Sequence, residues 1–183
     1  AVKALANRGL VEARPRYRPV IRRPNVDTAL ETMGSLVGRL LNEPGGVRNL
    51  FETRIMVEAT LVRNAALHAD QDDITALRAA LENNRAEIGN SERFYRTDVA
   101  FHAVLYEIPK NPVLKAVHKA YTTWLAPQWS RMPRRPDRNQ SNFEAHRKIF
   151  EAIRNHDPDA AETALRHHLN EAWTQVRETF GDI

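Results

Sequence analysis

After Asn25 the chain repeats one pattern. Apolar residues return every three or four positions, and each run ends at a short break such as "NEPGG", "HADQDD", "EIPKNP" or "NHDPD". That spacing is the period of one face of an α-helix. Breaks of roughly two to six residues leave each helix little choice but to fold back along its predecessor. The pattern predicts an all-α body, an antiparallel bundle of about seven helices.

The helices are expected at about 27–42, 46–69, 71–88, from Ser91 through the 95–109 stretch, from Pro112 to about Ser130, 140–155 and 159–180. Asp72 and Asp73 fall in the first turn of the third, where acids suit the helix dipole. Asn111-Pro112 is a cap followed by proline at the first helical position. Pro127 is expected to bend the fifth helix. "RMPRRPDRNQ" reads as a solvated loop and is assigned no role.

The first 25 residues are different. Residues 1–8 look like the end of a helix with Gly9 as its C-cap. Leu10–Ala13 and Pro19–Ile21 are β-prone runs around an Arg/Pro/Tyr turn, a small basic hairpin. Seven of the 27 basic residues lie here against one acid, so this piece is +6 while the rest of the chain is −2. A basic end on a slightly acidic body points either to nucleic acid at that end or to a solvated arm. The chain opens without Met and already in helical period, as if it began inside a domain whose first part is missing. The expected division is 1–25 and 26–183.

Composition closes several routes. There is no cysteine, so disulfides and thiolate metal sites are excluded, and any metal must be held by His, Asp or Glu. No run approaches the ~18 apolar residues of a membrane span, and no signal-peptide pattern is present. A soluble, cytoplasmic protein without a membrane partner is expected.

The same periodicity turns polar residues inward. In "YRTDVAFHAVLYEIP" the apolar face runs Phe94, Phe101, Leu105, Ile108, and Asp98 and His102 lie along its edge, four apart. His146 falls within the stripe Phe143, Ile149, Phe150, Ile153. His168 fills the gap in Ala161, Leu165, Ala172, Val176, Phe180. His146 and His168 each stand 11 residues from the turn centred near Asp157, so in an antiparallel pair they face each other. Three imidazoles and a carboxylate form a plausible divalent metal site, Asp98, His102, His146 and His168. Zn²⁺ suits it first, with Ni²⁺, Mn²⁺ or iron compatible. The alternative for each histidine is a core imidazole satisfied by hydrogen bonds. His68 and His156 fall near helix ends, and His118 and His167 on flanks.

These residues carry a resemblance. "TDVAFHAVLYEIPKNP" and "EAHRKIFEAIRNHDPDAAETALRHHLN" resemble the ligand-binding FCD domain of the GntR superfamily, FadR subfamily. That family's pattern is D-x3-H on one helix, an H before a helical "I..AI", and an H-L on the last helix. Asp98, His102, His146 and His168 match it. "EPGGVRNLFETR", "LVRNAALHAD" and "RTDVAFHAVLYEIPKNP" look most like the sialic-acid-responsive members. The match covers about residues 27–180. "AVKALANRGLVEARPRYRPVIRRP" is similar to the end of a winged helix, without its usual wing glycine and without the preceding helices.

The resemblance implies an effector-responsive transcription regulator and not an enzyme. Its bundle would bind a divalent metal and a small carboxylate, a sugar acid such as sialic acid or another organic acid. Arg54, with Glu58 four residues on, occupies the place where the family meets the effector carboxylate. From spacing alone the two form a helix salt bridge. Operator DNA, a homodimer, and DNA contacts by Lys3, Arg14, Arg16 and Arg18 are implied partners and roles. Two rivals stand beside this. One is a metal-dependent hydrolase with Glu144 or Glu58 as base. The other is a purely structural metal in the bundle.

Overall fold

The structure, a computed structural model, describes residues 2, 6, 11–12, 17–21 and 37–181. A two-stranded antiparallel hairpin pairs β1 (Val11–Glu12) with β2 (Val20–Ile21), in the register Val11 opposite Ile21 and Glu12 opposite Val20. The expected β-prone runs contain both strands. Val2 and Ala6 are helical. The expected C-cap Gly9, most of the helix over 27–42 and the domain boundary at 25/26 lie outside the described residues. The end of that helix is helical at 37–41.

Six helices follow: α1 (Gly46–His68), α2 (Gln71–Ala86), α3 (Ser91–Glu107), α4 (Pro112–Arg131), α5 (Pro136–Arg154) and α6 (Pro158–Phe180). Each start has a local cause. Gly45 turns the chain at φ 77° before α1. A Cβ on Gly46 would collide with the Leu40 carbonyl, so the turn closes only on glycine. Asp70 and Asp73 form a reciprocal capping box at α2. Asn90, Asn111 and Asp157 accept from the first-turn amides of α3, α4 and α6. Pro112, Pro136 and Pro158 occupy first-turn positions, where the missing N–H costs nothing.

One boundary differs from expectation. α5 starts at Pro136, so half of the expected loop is helix; a proline at the first helical position fits this as well as a loop does. α4 runs, as expected, through Pro127 to its end at Arg131, with one backbone donor absent from its ladder.

The most extensive pairings are α1 with α6 and α5 with α6, followed by α2 with α3. α3 also contacts α1, α4 and α5. The main core lies among them, around Val62, Leu77, Phe101, Leu105, Ile149, Ile153 and Leu165, all fully buried. A smaller cluster of Val47, Phe51, Leu125, Ala172 and Val176 closes one end, with Trp129 and Trp173 against Phe51. The inward polar residues sit within this apolar frame. Among the described residues no helix is long and apolar enough to cross a membrane.

Candidate metal centre and effector cavity

Five helices converge on one point. α1 supplies Arg54 and Glu58, α2 Asn84, α3 Asp98, His102 and Tyr106, α5 His146, and α6 His168. Asp98, His102 and Tyr106 follow one another at i, i+4 and i+8, so one face of α3 carries all three. The expected quartet is together: one ligand atom each from Asp98, His102, His146 and His168 lies within 4.8 Å of the others. His168 Nε2 is 3.2 Å from His102 Nε2 and 3.1 Å from His146 Nε2. Asp98 Oδ1 is 3.5 Å from His146 Nε2. His102, His146 and His168 are buried, and the Asp98 side chain is 19% exposed.

The network behind the rings decides which way their nitrogens point. Thr97 Oγ1 donates to the Phe94 carbonyl at 2.9 Å, so its oxygen is free to accept from Asn84 Nδ2 at 3.0 Å. Asn84 therefore turns its Oδ1 to His146 Nδ1, 2.9 Å away. That oxygen can only accept, so His146 Nδ1 carries the proton and Nε2 presents a lone pair. Glu58 does the same for His102. Its Oε2 lies 2.7 Å from His102 Nδ1, while Oε1 takes Arg54 Nε at 2.7 Å and Tyr106 Oη at 3.2 Å. Burial by itself would raise the Glu58 pKa, but Arg54 and His102 outweigh it and hold the carboxylate well below its usual range. An ionised Glu58 accepts the Nδ1 proton, and in the tautomer that would bind a metal His102 also presents an Nε2 lone pair.

Two lone pairs then face His168 Nε2, and one N–H there can serve only one of them well. His168 Nδ1 is buried without a hydrogen-bond partner among the described residues. Protonation is no remedy. Burial, then the neighbouring imidazoles and Arg54, push the His146 and His168 pKa values well below the ordinary range. A divalent cation would resolve the conflict. Ligand atoms 3.1–3.2 Å apart, each about 2.1 Å from a shared centre, subtend roughly 95–100°, between octahedral and tetrahedral angles. The residues fit a hard N/O-bound metal. Phe101 stacks on His146 at 4.3 Å and keeps that side dry.

On the other side the quartet opens into a cavity of about 490 Å³. Asp98, His102 and His168 line it, as does Arg54; Phe94, Tyr95, Trp129 and Leu169 form apolar wall. Burial works against the Arg54 charge, but Glu58 more than compensates, and its pKa is raised. Its terminal guanidinium nitrogens have no hydrogen-bond partner among the described residues. Burial first, with Glu58 adding to it, raises the Asp98 pKa, against His102 and Arg54.

Not every candidate comes to the cavity. Glu58, paired with Arg54 as an effector residue, is fully buried behind His102 and is absent from the cavity wall. Glu144 pairs with Arg147 on a different face of α5. Lys3, Arg14 and Arg16 lie outside the described residues, and Arg18 is exposed beside the hairpin. His118 is not a plain flank residue: its ring packs 4.9 Å from Tyr106, and Nε2 is buried without a hydrogen bond among the described residues. Asn84 and Tyr106 were not picked from the sequence. Asn84 sits in the polar run "ENNR", and only its place opposite His146 distinguishes it.

Comparison with known proteins agrees with this architecture. The FCD domain family matches residues 49–171. The HTH-type transcriptional repressor NanR of Escherichia coli (strain K12) is 38% identical over 172 residues, covering 93% of this chain and 65% of the repressor. NanR of Salmonella newport matches at 38% over 172 residues, covering 93% of this chain and 66% of that protein. The chain thus spans about 65% of the length of these relatives. Among solved structures, Streptococcus agalactiae GntR superposes with a TM-score of 0.62 at 21% identity, over 93% of this chain and 77% of that one. E. coli McbR/YncC superposes at 0.67 and 11% identity, over 98% and 82%. At such identities the structural likeness speaks for the fold alone.

Proposed function

The chain belongs to the FCD-domain family, and from that premise we propose that it is the sensing part of a GntR-type bacterial transcription regulator. In this proposal the bundle holds a divalent metal, Zn²⁺ first and Ni²⁺ or Mn²⁺ as alternatives, on Asp98, His102, His146 and His168. A small carboxylate binds beside it, a sugar acid such as sialic acid or another organic acid, and alters the affinity of a cytoplasmic homodimer for operator DNA. The named relatives are transcriptional repressors.

One observation carries the sensor reading. The donor set presents its open side to a cavity that also contains a buried arginine with unused donors. A bound cation would supply positive charge for an effector oxygen. Arg54 would take the carboxylate through charge-assisted hydrogen bonds. Glu58 anchors Arg54 and orients His102 at once, so effector and metal sites share one rigid support on α1. An effector shifts an equilibrium only by the difference in its affinity for two arrangements. α3 and α6 each bring a metal ligand to the cavity and are the elements on which such a difference would act.

The hydrolase alternative lacks a base: Glu58 is consumed by three partners and Glu144 is elsewhere. A structural metal does not account for the open cavity beside the ligands. Calorimetry of Zn²⁺-loaded and chelated protein with sialic acid and gluconate is the test. Metal-dependent, reversible binding is expected, weakened at least tenfold by Arg54→Lys with the metal retained. Arg54→Lys is preferred to alanine because it keeps a cation beside the buried Glu58. Acid affinity unchanged by both chelation and the substitution would contradict the sensor reading.

A further inference from the structure

Charge around the cavity does not balance at its outer end. Arg54 is matched by Glu58, and Arg96 by Glu92 at 3.0 Å. Asp98 belongs to the metal quartet. Two more arginines line the cavity, Arg134 before α5 and Arg138 in its first turn. Neither has a side-chain hydrogen bond or ion pair among the described residues. The nearby acid Asp137 is taken by Arg135. Arg138 is half-buried, and burial, followed by the Arg135 charge, lowers its pKa. Asp137 and Glu178 pull weakly the other way, but neither forms an ion pair with Arg138, and Arg134 beside it is exposed and equally unpaired among the described residues.

The location is specific. Arg138, Asn142 and His146 stand at i, i+4 and i+8 on α5, so one helix face leads from His146 to Arg138 over roughly 12 Å. Asn142 also lines the cavity and has no side-chain hydrogen bond among the described residues. α5 is anchored beside it: Asn139 Nδ2 donates to the Ile88 carbonyl at 2.8 Å and to Ser91 Oγ at 3.1 Å. Arg138 is thus mounted on a fixed helix start, with Arg134 just ahead of it, at a distance an extended six-carbon chain can bridge given the reach of an arginine side chain.

We propose that the cavity recognises an acid with two anionic ends, one held by the metal and Arg54 and the other by Arg134 and Arg138. This rests on the sensor reading above and narrows its effector class. A neutral hydroxylated end would leave both arginines unmatched. The distal anion is a carboxylate or a phosphate, since guanidinium serves both in the same fork.

Three six-carbon probes separate these cases: gluconate with one anionic end, glucarate with a distal carboxylate, and 6-phosphogluconate with a distal phosphate. Each is titrated into Zn²⁺-loaded protein. At least one doubly anionic probe should bind ten times or more tightly than gluconate, and the preferred one identifies the distal group. Arg138→Gln and Arg134→Gln should erase that advantage and leave gluconate affinity unchanged. Arg54→Lys should weaken all three, which reports the sensor reading separately. Equal affinity for the three probes, or an outer-arginine variant that weakens gluconate as much as the others, overturns the proposal. If none of the probes binds the loaded protein, the proposal fails together with the reading beneath it. Thermal melts of the glutamine variants, expected to match the parent, confirm that the comparison is made between folded proteins.

Discussion

The back of the site and its cavity face follow opposite rules. Behind His102 and His146 the polar atoms are spoken for: Thr97 holds Asn84, Asn84 holds His146, and Glu58 holds Arg54, Tyr106 and His102. On the cavity side, donors and charges are left over on Arg54, Asn142, Arg134 and Arg138. A saturated network in low dielectric is rigid, and removing one member leaves a buried charge or dipole exposed to nothing. An unsaturated wall tolerates substitution but is completed by a ligand. The difference separates residues that build the site from residues that read its occupant.

Four substitutions can break or sharpen this contrast. Glu58→Ala strikes the saturated side hardest, because it strands Arg54 and frees His102 together. A loss of about 3–5 kcal/mol in a urea unfolding curve is expected; a loss below about 1 kcal/mol would mean the network is not saturated as described. Asn84→Leu removes the acceptor that fixes the His146 tautomer, and metal affinity should fall about 10–100-fold in a chelator competition. Unchanged affinity would show that His146 needs no orienting partner.

His118 gives the pH test. Burial, and then the nearby His102, bring its pKa down from 6.5 to about 4. Between those values the unfolded chain binds the proton and the folded one does not, so stability is lost as pH falls from 6.5 toward 4. His146 and His168 act in the same direction. His118→Phe should therefore reduce, without abolishing, the drop in melting temperature between pH 7 and pH 5; a drop of undiminished size would remove His118 from the account. The smallest effect is expected at the mouth, where Arg138→Gln should change unfolding free energy by no more than about 0.5 kcal/mol. A larger loss would place Arg138 among the building residues.

Much of this was legible in the sequence because helical period is a local signal. Asp98 and His102 at i, i+4, and His146 and His168 equidistant from the turn at Asp157, are spacings within one helix or across one hairpin. The grouping of the four residues follows from them. What escaped depends on helices far apart in the chain. Asn84 lies 62 residues from His146 and looks like surface in its own helix. Glu58 has a helix partner at i−4 that explains it locally and hides its bond to His102, 44 residues on. Arg134 and Arg138 sit in a basic, proline-rich stretch that resembles any solvated loop, and only the fold turns them to the cavity.

The central claim is that a cation completes the four-residue cluster and faces the cavity. Anomalous diffraction from crystals grown with Zn²⁺, recorded on both sides of the zinc edge, tests it most directly. The account predicts one strong peak within about 2.0–2.2 Å of the Nε2 atoms of His102, His146 and His168 and of an Asp98 oxygen. The absence of a peak there, with the three imidazoles bridged by water instead, would contradict it.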